Sequence, residues 1–589
     1  MRYLRMLSNS VIAAAVASGY LTTLFLQLNP SVSIDPATLV PLATVLAIAY
    51  GANLTVLFYA LIVLRQILAV EVLSPGWLSV RLLSWLCTIA AGAGAALMWL
   101  NLLGFKDFLD RETRDRMFVG ATLVTAAGLV FLILGLAHIG RRGGRVSAAI
   151  LSITMVLSVA TPVVARGPAR QPLLPGRPTT IGEFEPASFD RRVTLLMFDG
   201  ASLDFILRDV AAGRLPNFGR ILDQGAVLHL ATLRPTQAEP VWSAVATGRL
   251  PIYNGVRSSA VYRAPGGTPI RLLPDYCFSQ ALVTFGFLTE EPQTVADLQA
   301  RPIWNILNDR GARVGLIGWP LTQPAPRVNG FAISDVFHRL SEPELNLDAT
   351  PLVWPPELLA DTRVAMETEA SPDPVALVST LGAPQPVNDY DVSTDRAPVV
   401  ADRVHLQLLS AFEAASPEGL APAFLAARFP GIDAVGHRFL RYADPSAFGD
   451  VSAEETERFG RVLQQYYGFL DTVVGREMER LGPADLLLVV SSFGMEPLAP
   501  GKRVLEMIFG NPLNSGSHER APDGFVLGFG APVEKGRRPR ASVVDLAPTI
   551  LYFLGLPVGR DMDGFARIDL FKPAFTNDKP VTYIPTYGR

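Results

Sequence analysis

The sequence of 589 residues is poor in cysteine, in lysine and in charged side chains. Its two cysteines, Cys87 and Cys277, are too few and too far apart to indicate a disulfide framework or a cysteine metal site. Charged residues make up 18% of the chain and the net charge is −3, so we expect no nucleic-acid partner. Lysine occurs five times against 46 arginines, a bias typical of a GC-rich bacterial genome. The mean hydropathy of +0.30 is too high for a fully soluble chain and predicts a membrane part.

The N-terminal part contains five apolar segments of membrane-spanning length, since a bilayer core requires about 20 helical residues. We predict these helices at Leu7–Leu28, Val40–Leu64, Leu82–Leu103, Val119–Ile139 and Ala148–Val164. The first segment resembles a signal peptide, but the four that follow favour a retained anchor. The sequence therefore predicts a membrane-anchored protein whose first partner is the lipid bilayer.

Basic residues indicate the orientation of these helices. Arg2 and Arg5 precede the first segment, and Arg141, Arg142 and Arg145 lie between the fourth and fifth. By the positive-inside rule both clusters are cytoplasmic, which places the C-terminal part in the periplasm or outside the cell. A loop with the opposite tendency carries Lys106, Arg111, Arg114 and Arg116. We expect a multi-pass protein of the inner (plasma) membrane.

Composition also divides the chain into domains. We predict a five-helix transmembrane domain at residues 1–165, followed by a Pro-, Arg- and Gly-rich linker at 166–190. From residue 191 short apolar runs alternate with amphipathic stretches, which is typical of an α/β domain with a mostly parallel sheet flanked by helices. This domain is predicted to extend over 191–575, before a C-terminal tail at 576–589.

Several segments of the α/β part are predicted individually. The predicted strands are Val193–Phe198, Val314–Gly318, Phe424–Phe429, Leu486–Val490 and Phe525–Phe529, and the predicted helices are Pro216–Asp223, Val241–Ala246, Ile303–Asn308, Phe459–Leu481 and Val543–Leu554. Ligands of open α/β sheets gather at the carboxyl ends of the strands. Asp199, Asp433 and the run Ser491–Phe493 all follow or end such strands.

Eight sequence blocks support a family resemblance that covers nearly all of Arg191–Phe571. In order, they read LLMFDGASLDFI, GRLPNFGRILDQGA, PTQAEPVWSAVATGRLP, IGWPLTQPAP, FPGIDAVGH, SSFGM, SGSHERAPDG and DLAPTILYFLGLP. This pattern resembles the type I phosphodiesterase/nucleotide pyrophosphatase branch of the alkaline phosphatase superfamily. The resemblance implies an alkaline-phosphatase-like fold, a centre with two divalent metal ions, usually zinc, and a Thr or Ser nucleophile.

One half of the implied centre is present. Asp433 and His437, four residues apart where a strand runs into a loop, match the Asp and His of the first metal site, and His518 matches its third ligand. Asp and His are suitable ligands for zinc. We therefore expect one zinc or other divalent ion per chain.

The other half of the centre has lost its characteristic residues. Asp199 matches an aspartate of the second metal site and is retained, but the nucleophile position is Ala238. In the family's SDHGM block the second metal is completed by Asp and His, and here those positions are Ser492 and Phe493. Alanine cannot attack phosphorus, and phenylalanine cannot bind a metal ion. A second metal ion is not expected to bind tightly.

Nearby residues offer substitutes, each with an alternative structural role. Glu239 could act as a base or reach a metal ion, and Thr236 or Ser243 could attack. Alternatively, Thr236 shapes a loop, Glu239 stabilises a helix N-terminus and Ser243 faces the helix surface. His229, His338 and His405 lack motif context and are interpreted as structural.

Two hypotheses remain. The first is a metal-dependent phosphodiesterase or pyrophosphatase acting on phosphate esters at the outer membrane face, with Asp199 or Glu239 as base. The second is a catalytically inactive pseudoenzyme that binds a phosphate-bearing lipid or partner and regulates envelope processes. The ligand could be a phospholipid, a nucleotide or an envelope glycan, and the segments Leu340–Ala401 and Tyr253–Gln280 are predicted to line its cleft. The sequence does not indicate the oligomeric state.

Overall fold

The computed structural model describes residues 1–69, 75–137, 144–170, 189–337, 351–369, 393–415, 421–509, 514–518 and 522–588. The chain forms two compact units. The first unit contains Met1–Leu174 and Arg257–Pro292, and the second contains Pro175–Val256 and Gln293–Arg589. Residues 257–292 fall inside the predicted domain 191–575, yet they belong to the first unit.

Helices and strands are numbered in chain order over the described residues. The helices are α1 Arg2–Leu28, α2 Pro36–Ala69, α3 Val80–Gly104, α4 Arg111–Leu136, α5 Gly144–Arg166, α6 Leu203–Ala211, α7 Pro216–Gln224, α8 Ala238–Thr247, α9 Pro251–Asn254, α10 Ser279–Thr284, α11 Ile303–Asp309, α12 Leu359–Glu369, α13 Ser393–Ala415, α14 Gly431–Ala443, α15 Ala453–Phe459, α16 Val462–Glu479, α17 Pro500–Phe509, α18 Leu546–Phe553 and α19 Pro573–Thr576. The strands are β1 Val193–Phe198, β2 Ala226–Ala231, β3 Ala260–Arg263, β4 Pro269–Ile270, β5 Thr289–Pro292, β6 Val314–Trp319, β7 Gly330–Ser334, β8 Val353–Trp354, β9 Phe424–Phe429, β10 Leu486–Phe493, β11 Glu496–Pro497, β12 Gly516–Ser517, β13 Asp523–Phe529, β14 Gly536–Arg537, β15 Ala541–Ser542, β16 Val558–Gly559 and β17 Tyr583–Ile584.

Helices α1 to α5 are long and apolar enough to cross a membrane, as predicted. Helix α1 is the most enclosed of the five, and the other four keep many exposed apolar side chains, as expected for lipid-facing helices. The hydroxyl of Tyr20 on α1 donates to Ser158 Oγ on α5 at 2.8 Å. The end of the fourth predicted segment, residues 138 and 139, and the basic residues 141 and 142 lie outside the described residues.

Residues 257–292 form an arm of the first unit, with a three-stranded antiparallel sheet ordered β4-β3-β5. Its apolar side chains share a core with α1 and α2 that includes Phe25, Leu46, Tyr262 and Leu282. The segment Tyr253–Gln280, predicted as a wall of the cleft, therefore lies mostly in this arm. Its apolar residues find their partners on the membrane helices.

The second unit is built on a ten-stranded mixed sheet in the order β14-β2-β13-β10-β1-β9-β6-β7-β8, with β15 also paired to β2. The five central strands from β10 to β7 are parallel, and Val193 of β1 aligns with Leu486 of β10 and Phe424 of β9. These strands are almost wholly buried, which explains their continuous apolar runs. The predicted α/β fold and its five strands are confirmed.

Three local predictions differ from the structure. The predicted helix Phe459–Leu481 is broken at Gly460 into α15 and α16, and Val543–Asp545 is a 3₁₀ turn that precedes α18. A capping box causes this turn, because Ser542 and Asp545 satisfy each other's backbone N–H groups. The strand β9 runs into helix α14, rather than into a loop, before Asp433 and His437.

Two further predicted regions have partial outcomes. Of the insert Leu340–Ala401, residues 340–350 and 370–392 lie outside the described residues, as does His338. The predicted tail 576–589 contains β17, which pairs in parallel with β16. Tyr587 near its end is buried and donates from its hydroxyl to the Pro557 carbonyl at 2.5 Å. The tail is thus packed against the second unit through its described residues.

Candidate metal centre

Asp433, His437 and His518 come together at the carboxyl edge of the sheet. Helix α14 places Asp433 and His437 one turn apart on one face, and His518 follows β12. The Nε2 atoms of His437 and His518 lie 3.6 and 3.7 Å from Asp433 Oδ2. One ligand atom from each residue lies within 4.8 Å of the other two. A single metal ion fits between donors at this spacing.

Backbone carbonyls hold both imidazole rings in the orientation that a metal ion requires. The Nδ1 atom of His437 donates to the Gly516 carbonyl at 2.8 Å, and that of His518 donates to the Thr236 carbonyl at 3.1 Å. This leaves the Nε2 atoms on the side of Asp433, as in metal sites where the other ring nitrogen of each histidine donates to a carbonyl. Asp433 Oδ1 is buried and has no hydrogen-bond partner among the described residues. This donor set therefore fits zinc or another divalent ion.

Two glycines make room for this arrangement. Gly200 follows strand β1 with φ of +69°, and a Cβ atom there would lie 2.4 Å from Asp433 Oδ1. At Gly431, the first residue of α14, a Cβ atom would lie 1.9 Å from the hydroxyl oxygen of Tyr466. Any larger residue at either position would displace the helix that carries Asp433 and His437.

Asp199, predicted as a ligand of the second metal site and as a possible base, accepts hydrogen bonds from two side chains. Arg428 donates from Nε and Nη2 to Asp199 Oδ2 at 2.8 and 2.5 Å. Trp242 donates from Nε1 to Oδ1 at 2.6 Å. The aspartate is 2% exposed, so this pair lies in the protein interior. Asp199 is not part of the group formed by Asp433, His437 and His518.

Further carboxyl groups lie in the electrostatic field of Arg428. Burial raises the pKa of Asp199, of half-buried Glu239 and of Asp335, while the positive charge of Arg428 lowers each of them in part. The pKa of Arg428 itself is raised, because the surrounding carboxylates outweigh the effect of its burial. Asp335 follows β7 and accepts from the Leu321 backbone N–H at 3.0 Å. The carboxyl edge thus holds one buried guanidinium among three acids.

The structure places the three positions at which the sequence departs from the family motifs. Ala238 begins helix α8, and Ser492 and Phe493 end strand β10. The Ser492 hydroxyl is buried without a partner among the described residues, while the Phe493 ring packs on His518 with its centroid 4.8 Å away. Phe493 therefore fills space beside the first metal site with apolar surface.

The other residues considered as nucleophiles have structural contacts. The Thr236 hydroxyl donates to the Leu233 carbonyl at 2.8 Å, and Ser243 is buried within α8 rather than on its surface.

His229 is exposed on β2. His405 is buried on α13, and its Nδ1 donates to the carbonyl of Arg428 at 2.6 Å. His405 thus supports the strand that carries the arginine.

Arg428 is the functional residue that the sequence analysis missed. It is the single charged residue in the strand FLAARF, whose other residues are apolar and buried. An arginine in such a strand must be paired, since charged side chains are almost never fully buried alone. That signal identifies Arg428 as unusual, but its partner is 229 residues away in the sequence.

Comparisons with known proteins identify a family and several similar structures. A model of the family described as Type I phosphodiesterase / nucleotide pyrophosphatase matches residues 193–524. Alkaline phosphatase PafA is similar in structure, with 13% identity, a TM-score of 0.41 and coverage of 66% of this chain and 99% of that one. Murine ectonucleotide pyrophosphatase/phosphodiesterase 5 is similar with 12% identity, a TM-score of 0.36 and coverage of 65% and 100%. No curated protein matches the sequence.

The matched residues include most of the central sheet and the three residues that could hold a metal ion at its carboxyl edge, Asp433, His437 and His518. The family match covers more than half of the chain. The chain therefore belongs to the Type I phosphodiesterase / nucleotide pyrophosphatase family, and it carries five helices long enough to span a membrane ahead of the family's domain.

Proposed function

We propose that the second unit binds a phosphate ester through one divalent metal ion without forming a covalent phospho-enzyme. Asp433, His437 and His518 hold the ion, which supplies a positive centre for a phosphate oxygen. The observation that carries this proposal is the pairing of Asp199 with Arg428. Asp199 Oδ2 already accepts two hydrogen bonds and Oδ1 accepts one from Trp242, which disfavours a second ion there, and Ala238 provides no nucleophile.

The remaining residues of the site suit binding better than turnover. Arg428 is paired with Asp199 and also interacts with Glu239 and Asp335, so the metal ion rather than this arginine would attract the phosphate. We propose a membrane-anchored pseudoenzyme at the outer face of the plasma membrane, in the periplasm or its equivalent. Its ligand would be a phospholipid head group, a nucleotide or an envelope glycan phosphate.

A second candidate is hydrolysis without a covalent intermediate. Glu239 is half-buried with a raised pKa, and it lies three residues after Thr236, whose carbonyl accepts from His518. In this mechanism Glu239 takes a proton from water as the water oxygen bonds to phosphorus. The ester P–O bond breaks, and the leaving alcohol takes up a proton.

One experiment separates these candidates. Binding and hydrolysis of p-nitrophenyl phosphate and bis(p-nitrophenyl) phosphate are measured for the full-length protein in detergent with zinc or manganese. The same measurements are made on the double variant Asp433→Ala/His437→Ala, on Glu239→Gln and on the exposed control Glu457→Gln. Binding of the esters that the double variant loses, with no turnover above it, supports the pseudoenzyme. Turnover that both the double variant and Glu239→Gln lose, but Glu457→Gln keeps, supports hydrolysis. Neither binding nor turnover in the unaltered protein contradicts both candidates.

A further inference from the structure

A second group of polar side chains lies at one end of the membrane helices, within the first unit. Gln27 is near the end of α1, Thr113 and Arg116 are in the first turns of α4, and Arg166 ends α5. Together with Arg170 these residues line one pocket, alongside Pro30 and Met117. The enclosed end of the pocket is wide enough for one water-sized group, which is the size of a phosphate oxygen.

Several polar atoms in this pocket lack partners although they are buried. Gln27 is 1% exposed, Thr113 4% and Arg166 3%. Four of their polar atoms have no hydrogen-bond partner among the described residues. They are Nε2 and Oε1 of Gln27, the Thr113 hydroxyl and Nη1 of Arg166. Leaving such groups unsatisfied costs about 1–3 kcal/mol each, so a buried cluster of them indicates a ligand that supplies the missing acceptors.

The charges of the pocket select the kind of ligand. Arg116 pairs with Glu112 at 2.6 Å and donates to the Arg166 carbonyl at 2.8 Å, while Arg170 pairs with Asp110 at 3.0 Å and also with Glu112. Three guanidinium groups therefore face two carboxylates, which leaves one excess positive charge. The unpartnered atoms are mainly donors. Donors with excess positive charge favour an anion over a cation.

The guanidinium of Arg166 also has a structural role that holds the pocket open. Its Nε and Nη2 atoms donate to the carbonyls of Leu26, Asn29 and Val32 at 2.9, 2.9 and 2.5 Å. These bonds satisfy carbonyl groups at the C-terminal end of α1 and orient Nη1 away from them. Gln27 packs closely over Gly120 of α4, where a Cβ atom would lie 1.9 Å from its Nε2 atom. The donors are thus positioned before any ligand arrives.

We propose that Gln27, Thr113, Arg116, Arg166 and Arg170 form a binding site for a phosphate anion, supplied by the head group of an anionic phospholipid. Ends of membrane-spanning helices lie at the depth of lipid head groups, where basic residues meet anionic lipid. This site is separate from the metal centre and its existence does not depend on the function proposed for that centre. It would hold a phosphate-bearing lipid on the membrane unit.

The test measures lipid binding by native mass spectrometry of the delipidated full-length protein in detergent. Dioleoyl phosphatidylglycerol is titrated against dioleoyl phosphatidylcholine, and inorganic phosphate is used as a competitor. We expect phosphatidylglycerol to bind in preference, and Thr113→Val and Arg116→Gln to weaken it about tenfold or more. Arg114→Gln, an exposed arginine of the same helix, should change binding less than about twofold.

Thr113→Val also protects the test against misfolding. Its hydroxyl has no partner among the described residues, so its removal should not lower the thermal unfolding midpoint. Weaker binding in a variant of unchanged stability is therefore a loss of the site itself. The proposal is overturned if Thr113→Val, Arg116→Gln and the unaltered protein bind phosphatidylglycerol equally. It is also overturned if the unaltered protein does not prefer phosphatidylglycerol to phosphatidylcholine and does not bind inorganic phosphate.

Inorganic phosphate distinguishes the two sources of the same anion. If it binds as tightly as the lipid and both variants lose it, the phosphate site is established but its ligand is free phosphate. If inorganic phosphate displaces phosphatidylglycerol only at much higher concentrations, the lipid head group is supported as the ligand. Repeating the titration with Asp433→Ala and a chelator should leave lipid binding unchanged, which separates this site from the metal centre.

Discussion

Arg428 and Asp199 form a buried ion pair in which two guanidinium N–H groups contact one carboxylate oxygen at 2.8 and 2.5 Å. In the two-metal centre implied by the family resemblance, the corresponding aspartate holds an ion that activates the nucleophile. A guanidinium has no open coordination position, so Arg428 cannot hold an attacking alkoxide as a metal ion would. The pair therefore supports the proposal that this chain forms no covalent phospho-enzyme.

The metal centre predicts a metal content of one divalent ion per chain. His518→Ala removes one of three ligands and should lower the affinity at least tenfold, because two remaining donors do not complete a site. Elemental analysis after dialysis against limiting zinc measures this. His229→Ala is the matched control, since His229 is exposed and distant in sequence from the ligands. A His518→Ala protein that keeps its full metal content would place the ion elsewhere.

Breaking the buried pair should destabilise the second unit strongly. Arg428→Gln leaves the buried Asp199 carboxyl group without its cationic partner, at a cost of about 3–5 kcal/mol in the free energy of unfolding. The double variant Asp199→Asn/Arg428→Gln should lose less than Arg428→Gln alone, because neither charge then remains. Thermal unfolding of the detergent-solubilised proteins measures which variant loses more stability, and Arg537→Gln, at an exposed arginine, is the control. Additive losses would show that the two charges do not interact.

Restoring a hydroxyl at the nucleophile position should not restore activity. Ala238→Thr supplies an attacking group, but Arg428 still occupies both hydrogen bonds to Asp199 Oδ2 and Phe493 still replaces a ligand. We expect hydrolysis of bis(p-nitrophenyl) phosphate to stay within about threefold of the unaltered protein, since a nucleophile without activation is ineffective. A rise of a hundredfold would mean that only the nucleophile was missing.

Two buried asparagines should hold the arm at 257–292 on the membrane helices. Asn29 accepts from the Arg271 and Leu272 backbone N–H groups at 2.8 and 3.0 Å, and Asn101 accepts from that of Asp275 at 2.8 Å. Replacing either with alanine leaves buried backbone groups unpaired, at a cost of about 1–3 kcal/mol.

This effect is local and is measured by hydrogen exchange. Amides at 271–275 should exchange faster in Asn29→Ala and Asn101→Ala than in Asn53→Ala. Asn53 is exposed and bonds only within its own helix, to the Ala49 carbonyl at 2.7 Å. Unchanged protection in both test variants would show that apolar contacts alone hold the arm.

Stability should fall as pH rises towards about 8 because of Asp402. Burial raises the pKa of this carboxyl group to about 8, although hydrogen bonds from Tyr466 and the Gly431 backbone N–H lower it in part. Between about pH 4 and 8 the unfolded chain releases this proton and the folded protein keeps it. The free energy of unfolding then falls with rising pH, by up to about 1.4 kcal/mol per pH unit from this group.

Asp402→Asn removes this contribution and isolates it from other titrating groups. The amide can mimic the protonated acid, so the variant should match the unaltered protein at about pH 4, where the unfolded chain also keeps the proton, and exceed it in stability at pH 8. The measurement is the thermal unfolding midpoint in chelator-containing buffer across this range. Parallel pH profiles for the two proteins would exclude a raised pKa at Asp402.

The sequence alone determined the elements whose signals are local. Long apolar segments predicted five helices, continuous apolar runs predicted the central parallel strands, and the spacing of Asp433 and His437 with His518 predicted the group that the structure brings together. Each of these patterns reflects the burial of residues close together in the sequence, so the periodicity and length of the apolar segments are enough to predict the element. The missing ligands at Ser492 and Phe493 were likewise readable from the motif.

Tertiary structure decided what Asp199 contacts and where the arm belongs. The partner of Asp199 lies on the adjacent strand β9, 229 residues later, and only the strand order places Arg428 beside it. The arm sits within the sequence of the α/β domain, but its apolar residues pack on helices more than 200 residues earlier. The sequence indicates that a side chain must be buried or paired. It does not indicate the partner, because contacts between distant segments depend on the order of the strands and the packing of the whole fold.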